Sequence, residues 1–197
     1  MKLTRPKRGP QLLWLLVLLP YLSGSAPPAL AKEILEGVES SENRVYIRTD
    51  GLACYFCAYG LERFFKKTGR IAAFDLDMQE GIVEVVFVQD KPLIASKTLS
   101  RFVHDAGFAP RWIDAELVGR LEITSTGDTV LRVRETGERV LLEDNDTLRG
   151  YRSNERPKER KNERQEPAVV RVRGRAQDDE NSAMRLAPEW IRREAPS

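Results

Sequence analysis

Two residues in this chain combine reactive type with telling spacing: Cys54 and Cys57, the only cysteines among 197 residues, placed C-x-x-C. The residues before them, Val45-Tyr46-Ile47-Arg48, alternate as a short strand does, and residues 58–67 read as a helix. That puts the first thiol in a strand-to-helix loop and the second in the opening turn of the helix. Unpaired backbone N–H groups and the positive end of the helix dipole favour thiolate there. Two thiolates so spaced can converge on one soft metal ion, with metal–sulfur bonds of about 2.3 Å as for zinc. Gly51 supplies a flexible turn in the loop.

The elements that must hold this pair follow from hydrophobic period. Leu61, Phe64 and Phe65 lie on one side of the first helix, and Gly69 stops it. Phe74, Leu76 and Met78 alternate against Asp75 and Asp77; after the turn at 79–81, Val83, Val85 and Phe87 share a face. That pattern predicts a hairpin. Leu99, Phe102, Val103 and Ala106 form the stripe of a second helix over 96–106, and a strand around 111–117 follows. The predicted fold class is α+β: a ferredoxin-like βαββαβ sandwich, two helices on a four-stranded antiparallel sheet.

Beyond residue 118 the pattern changes. Three short alternating runs centre on Leu121 and Ile123, on Val130 and Val133, and on Val140 and Leu142. They read as an appended small β-meander, too small to be stable alone. Residues 148–167 are nearly all charge, amide and proline and are expected to be disordered. Val169 to Val172 could add a strand to an edge, and residues 184–193 read as a short helix around Leu186, Trp190 and Ile191. The expected organisation is 1–31 signal peptide, 32–43 lead-in, 44–118 core domain, 119–147 meander and 148–197 charged, mostly disordered tail.

Lys2, Arg5, Lys7 and Arg8 precede an apolar run over 12–22, and Ala29-Leu30-Ala31 fits a signal-peptidase site. Export to the periplasm or medium is expected, with no stable membrane anchor after cleavage. The whole chain carries 32 basic and 30 acidic side chains; without the leader's four basic residues the balance is 28 to 30. The basic character belongs to the leader, so it gives no reason to expect a nucleic-acid partner. In an oxidising compartment a C-x-x-C disulfide closes only a tiny loop and adds little stability. Metal capture or thiol exchange is the better use of the pair. His104, the only histidine, suits a surface position at a helix end, and Met78 suits packing. No nucleophile–base set or phosphate loop stands out, so a binding protein rather than an enzyme is expected.

These residues resemble the heavy-metal-associated domain family: copper chaperones, the metal-binding domains of metal-pumping ATPases and the periplasmic mercury-binding protein. Gly51 and Leu52 stand at the motif's glycine and methionine, Cys54 and Cys57 at its ligand pair, and Leu61 at its apolar position. Asp105-Ala106-Gly107-Phe108 looks like the segment that closes the family's second helix, with Phe108 beside the metal loop. Ala53, Leu52, Tyr55 and Phe56 depart from its usual residues. The resemblance implies Cys54 and Cys57 as ligands of one soft ion, Cu(I) or Hg(II) first, Zn(II) or Cd(II) next. It implies transfer by ligand exchange to a metal-transporting membrane protein or another metal-binding domain. The alternative is an envelope adaptor or thiol-redox protein on the same scaffold without metal traffic.

Overall fold

The longest strand joins two layers. In the computed structural model, which describes residues 40–52, 55–154, 168–180 and 183–194, β4 spans Ala109–Ile123. The elements run β1 (Ser40–Asp50), α1 (Tyr55–Lys66), β2 (Ile71–Asp77), β3 (Ile82–Val88), α2 (Ser96–Asp105), β4, β5 (Thr129–Val133), β6 (Arg139–Leu142), α3 (Asp146–Asn154), β7 (Val169–Gln177) and β8 (Arg185–Arg193). The first half of β4 pairs antiparallel with β1, with Ile47 opposite Ile113. Its second half pairs with β5, with Leu121 opposite Leu131. Along its middle it also pairs with β7, Leu117 facing Val172.

The eight strands form one sheet in the order β2-β3-β1-β4-β5-β6-β8-β7, and the β7–β4 pairing closes the last five into a barrel. This corrects the expected fold class. The chain is not a simple βαββαβ sandwich with an appended meander and disordered tail. The runs at 121–123, 130–133 and 140–142 are barrel staves, and β4 does not end at 117. β7 and β8, from the supposed tail, complete the barrel; the helix expected over 184–193 is strand β8. Of the other expected pieces, β1 begins at Ser40, inside the lead-in. Residues 1–31 and 155–167 lie outside the described residues.

Closure depends on two places where backbones nearly touch. A Cβ at Gly119 would sit 2.1 Å from the Arg132 carbonyl oxygen, and one at Gly174 would sit 2.2 Å from that of Ala187. Both are strand glycines at tight barrel corners, where only a hydrogen fits. At Gly174 the β7–β8 register also shifts, and Pro188 stands opposite the glycine. Bulges of this kind accommodate proline in a sheet.

One apolar core fills both layers. Leu61 and Phe65 of α1 and Leu99 and Val103 of α2 are buried over Val45, Ile47, Val83, Val85 and Ile113. Phe65 meets Phe102 edge-on, with ring centroids 5.5 Å apart. Leu117, Leu131, Val140, Val172 and Leu186 are buried in the same cluster on the barrel side, with Leu148 of α3 fully buried among them. Each such side chain contributes about 1.5–3 kcal/mol by leaving water. Asn43 is a buried stitch: its Oδ1 accepts the Val118 N–H at 2.9 Å and its Nδ2 donates to Glu135 at 2.9 Å. It satisfies β4 beyond the last β1 rung, at Arg44 opposite Glu116. The second layer is tied to the barrel's loops as well. Ser96 at the start of α2 donates through its N–H to the Ala183 carbonyl and through Oγ to Asp178 at 2.7 Å.

Gly119→Ala and Gly174→Ala are each expected to lower unfolding free energy by about 2–3 kcal/mol through overpacking. Gly60→Ala, mid-helix in α1 with open space around its Cβ position, is expected to raise it by about 0.5–1 kcal/mol. Urea titrations of the three variants check the ordering; equal stability of Gly119→Ala and the parent would remove the closure argument.

Candidate functional site

The cysteine-bearing loop leaves β1 at Asp50 and turns at Gly51, whose φ is +92°. Arg111 of β4 pairs with Asp50, its Nε donating at 2.6 Å. This hydrogen bond holds the Asp50 carboxyl below the usual aspartate range. Phe108 is buried, with its ring 3.6 Å from where a Gly51 Cβ would be, and Leu52 is buried beside it in the core. Cys54 lies outside the described residues. Cys57 falls in α1, but its side chain, like those of Tyr55 and Phe56, also lies outside them. His104 is exposed on the last turn of α2, and Met78 packs against the core.

The soft-metal reading is overturned with the fold it needed. Among the described residues no group of three or more His, Cys, Asp or Glu side chains could hold a metal ion. The scaffold is a barrel-bearing sheet rather than the free-standing sandwich on which the heavy-metal-associated family presents its pair. The Cu(I) or Hg(II) cargo and the Zn(II) or Cd(II) substitutes fall with that resemblance, while the Cys54 and Cys57 side chains themselves lie outside the described residues.

A different polar site is assembled at the barrel. A cleft of about 350 Å³ opens between the β4–β5 loop (Thr126, Gly127, Asp128), the start of β5 (Thr129), the residues after β6 (Glu143, Asp144), Arg152 of α3 and Arg185 of β8. The loop is built by its own side chains. Thr126 Oγ1 donates to Asp128 Oδ2 at 2.6 Å, and the Asp128 N–H donates to Thr124 Oγ1 at 3.1 Å. Gly127 supplies the positive φ that the turn requires. Asp144 lies 3.5 Å from Arg149 Nε and 3.6 Å from Arg152 Nη1, and Arg185 Nη2 lies 3.7 Å from Asp179. Those are loose contacts. Thr129 is only 3% exposed, yet its Oγ1 has no hydrogen-bond partner in the protein; the same holds for the buried Nε of Arg152 and of Arg185. A buried hydroxyl or guanidinium N–H without a partner costs about 1–3 kcal/mol, so three within residues of one cleft wall require explanation.

A second polar assembly covers the outer face of the seam between the layers. Three guanidiniums stack on aromatic rings: Arg173 over Tyr46 at 4.5 Å, Arg175 over Trp112 at 4.6 Å and Arg192 over Trp190 at 4.6 Å. Beneath the first two lies Asp114, whose side chain is 6% exposed. Its Oδ1 is 2.9 Å from Arg175 Nε without accepting an aligned hydrogen bond, and its Oδ2 is 3.9 Å from Arg173 Nη2. Burial pushes the Asp114 carboxyl above the usual aspartate range and Glu189 adds to this, while Arg175 and Arg173 oppose it.

None of Thr129, Arg152, Arg185 or Asp114 was singled out from sequence. Thr126, Gly127 and Asp128 fell between two of the meander's runs, and the arginines fell in what read as a tail. A meander of three strands, a helix and a hairpin that closes on the first strand, with third and fifth strands parallel, is the path of Greek-key barrels of the OB type. The fold is thus a five-stranded barrel continuous with a helix-covered sheet. No family model matches the chain, and neither a curated protein nor a solved structure is significantly similar to it.

Because the Asp114 pKa is raised by folding, the native state holds that proton more tightly than the unfolded chain does. Ionising Asp114 therefore removes stability as pH rises from the ordinary aspartate pKa through the raised one. Asp114→Asn is expected to gain on the parent across that window, with a constant difference below it. Urea unfolding from pH 3 to 7 measures this; a difference that shrinks as pH rises would reverse the assignment.

Proposed function

We propose that this chain is an exported, non-catalytic binding protein whose barrel cleft holds a short polyhydroxylated ligand, a saccharide of the cell envelope. The observation that carries this is the trio of buried, unpartnered groups, Thr129 Oγ1, Arg152 Nε and Arg185 Nε, in residues that line one cleft together with Asp128, Glu143 and Asp144. A simple anion would meet three carboxylates there, and a simple cation two guanidiniums. A sugar hydroxyl donates and accepts at once, so neighbouring hydroxyls satisfy both signs. Barrels of the OB type commonly bind at the loop that follows the first strand, here 124–128; this supports the reading by analogy of fold alone. The basic, then apolar, then small-residue pattern of residues 1–31 supports export.

The test is a panel of neutral oligosaccharides titrated into the protein by calorimetry and by amide chemical-shift mapping. Shifts are expected at Gly127, Thr129 and Arg185. Thr129→Val keeps the shape and deletes the unpartnered hydroxyl. It is expected to raise stability without ligand by about 1 kcal/mol and to weaken binding about tenfold. If no saccharide in the panel moves those resonances at millimolar concentration, or if Thr129→Val leaves affinity unchanged, the reading fails.

A further inference from the structure

The geometry points to the outer face of the seam as a docking surface for an extended acidic peptide with carboxylates on alternate residues. Two of the ring-stacked guanidiniums stand in file on β7, and the third lies diagonal to them on β8. Arg173 and Arg175 share one face of β7 two residues apart, a rise of about 6.7 Å. Arg192 stands opposite Arg171 in the β7–β8 register and so diagonal to Arg173, roughly 7–8 Å away. An extended peptide presents same-side side chains at that same two-residue repeat, so one carboxylate can meet each guanidinium.

The charge layering favours an acidic partner. Three guanidiniums stand over two largely buried carboxylates, Asp114 and Glu116, whose side chains are 6% and 14% exposed, with Glu189 exposed nearby. Arg192 has no ion-pair partner among the described residues; its recorded contact is the Trp190 ring. Arg171, by contrast, is saturated by Glu116, Glu194 and Glu42 and takes no part. Stacking fixes each planar fork before a ligand arrives, which lowers the ordering cost of a bidentate pair. The file runs at one end into a cleft of about 310 Å³, lined by Ser96, Ser100, Arg111, Trp112, Arg175 and Asp178. A peptide laid along β7 has room there for its end. A linear partner fits this better than a membrane plane, because the cations are confined to one pair of adjacent strands.

The experiment uses the mature protein and two fluorescein-labelled peptides of the same composition, one alternating Glu and Ser, one with the glutamates in a block. Fluorescence anisotropy at low ionic strength is expected to show the alternating peptide binding at least about fivefold more tightly. Arg173→Gln with Arg192→Gln is expected to weaken it at least about tenfold, and the double Lys variant to keep weak binding while losing the preference for alternation. Arg192→Gln alone, on the exposed edge, serves if the double variant is unfolded by thermal melt, and is expected to weaken the alternating peptide about threefold. Equal binding of both peptides, an equal loss on replacing Arg63 and Arg101 of the helices, or binding of heparin with neither peptide bound would overturn the assignment. Because the readout does not involve Thr129, its failure is distinguishable from failure of the saccharide reading.

Discussion

Everything in this fold hangs on the hydrogen-bonding capacity of one strand. β4 gives its first half to β1, its second half to β5 and its middle to β7. A strand with two edges can serve three neighbours only if one leaves where another arrives. Here β1 pairing stops at Arg44 opposite Glu116, and β5 pairing starts at Gly119 opposite Val133. The gap falls at Val118, whose N–H goes to the Asn43 side chain and whose carbonyl accepts from the Arg134 N–H. Left unpaired, that buried N–H would cost about 1–3 kcal/mol. The hand-over, more than the helices, makes one sheet of what would otherwise be two.

The same constraint explains why the elements were legible and their assembly was not. Period-two patterning marked the runs that became β2, β3, β5 and β6 as strands, most plainly β6, where buried Val140 and Leu142 alternate with Arg139 and Leu141. Alternation does not say which strands pair. Closure was written in Gly119 and Gly174, and a glycine in a strand pattern does not announce which carbonyl will lie 2.1 or 2.2 Å from its missing Cβ. β8 was misread because Leu186, Trp190 and Ile191 also fit a helical stripe and Pro188 suits a helix start. Its proline is tolerated at the register shift, where its carbonyl accepts from the Asn145 side chain at 2.8 Å.

Site and fold differ in the same way. The cysteine pair drew attention because its chemistry is local: two thiols, one spacing, one helix start. The cleft is the reverse. Thr129, Glu143, Arg152 and Arg185 come from β5, the loop after β6, α3 and β8, and none is unusual in its own stretch. Only closure through β7 and β8 brings Arg185 beside the end of β6, where it stands opposite Leu141 in the one parallel pairing among the described strands. What marks the cleft is an unsatisfied hydrogen-bond inventory, a property that does not exist until the chain is folded.

Arg171 shows how the seam is kept rigid enough for either surface to be preorganised. Its guanidinium reaches Glu116 of β4 at 3.1 Å, Glu194 just after β8 at 2.5 Å and Glu42 of β1 at 3.8 Å. Burial alone would lower its pKa, but the hydrogen bonds it donates to Glu194 and Glu116 outweigh that and raise it. Part of the group remains open to solvent, so screening leaves each contact worth well under its unscreened Coulomb energy. Its effect is geometric. One planar fork fixes three separately hydrogen-bonded strands in register, and the neighbouring Arg173 and Arg175 on the same strand inherit that position. Their rings come from β1 and β4, Tyr46 and Trp112, so each stack also crosses the seam. A sliding motion between β7 and the β1–β4 pair would break all three contacts together, which is why the cationic row behaves as a rigid feature of the fold rather than as loose surface charge.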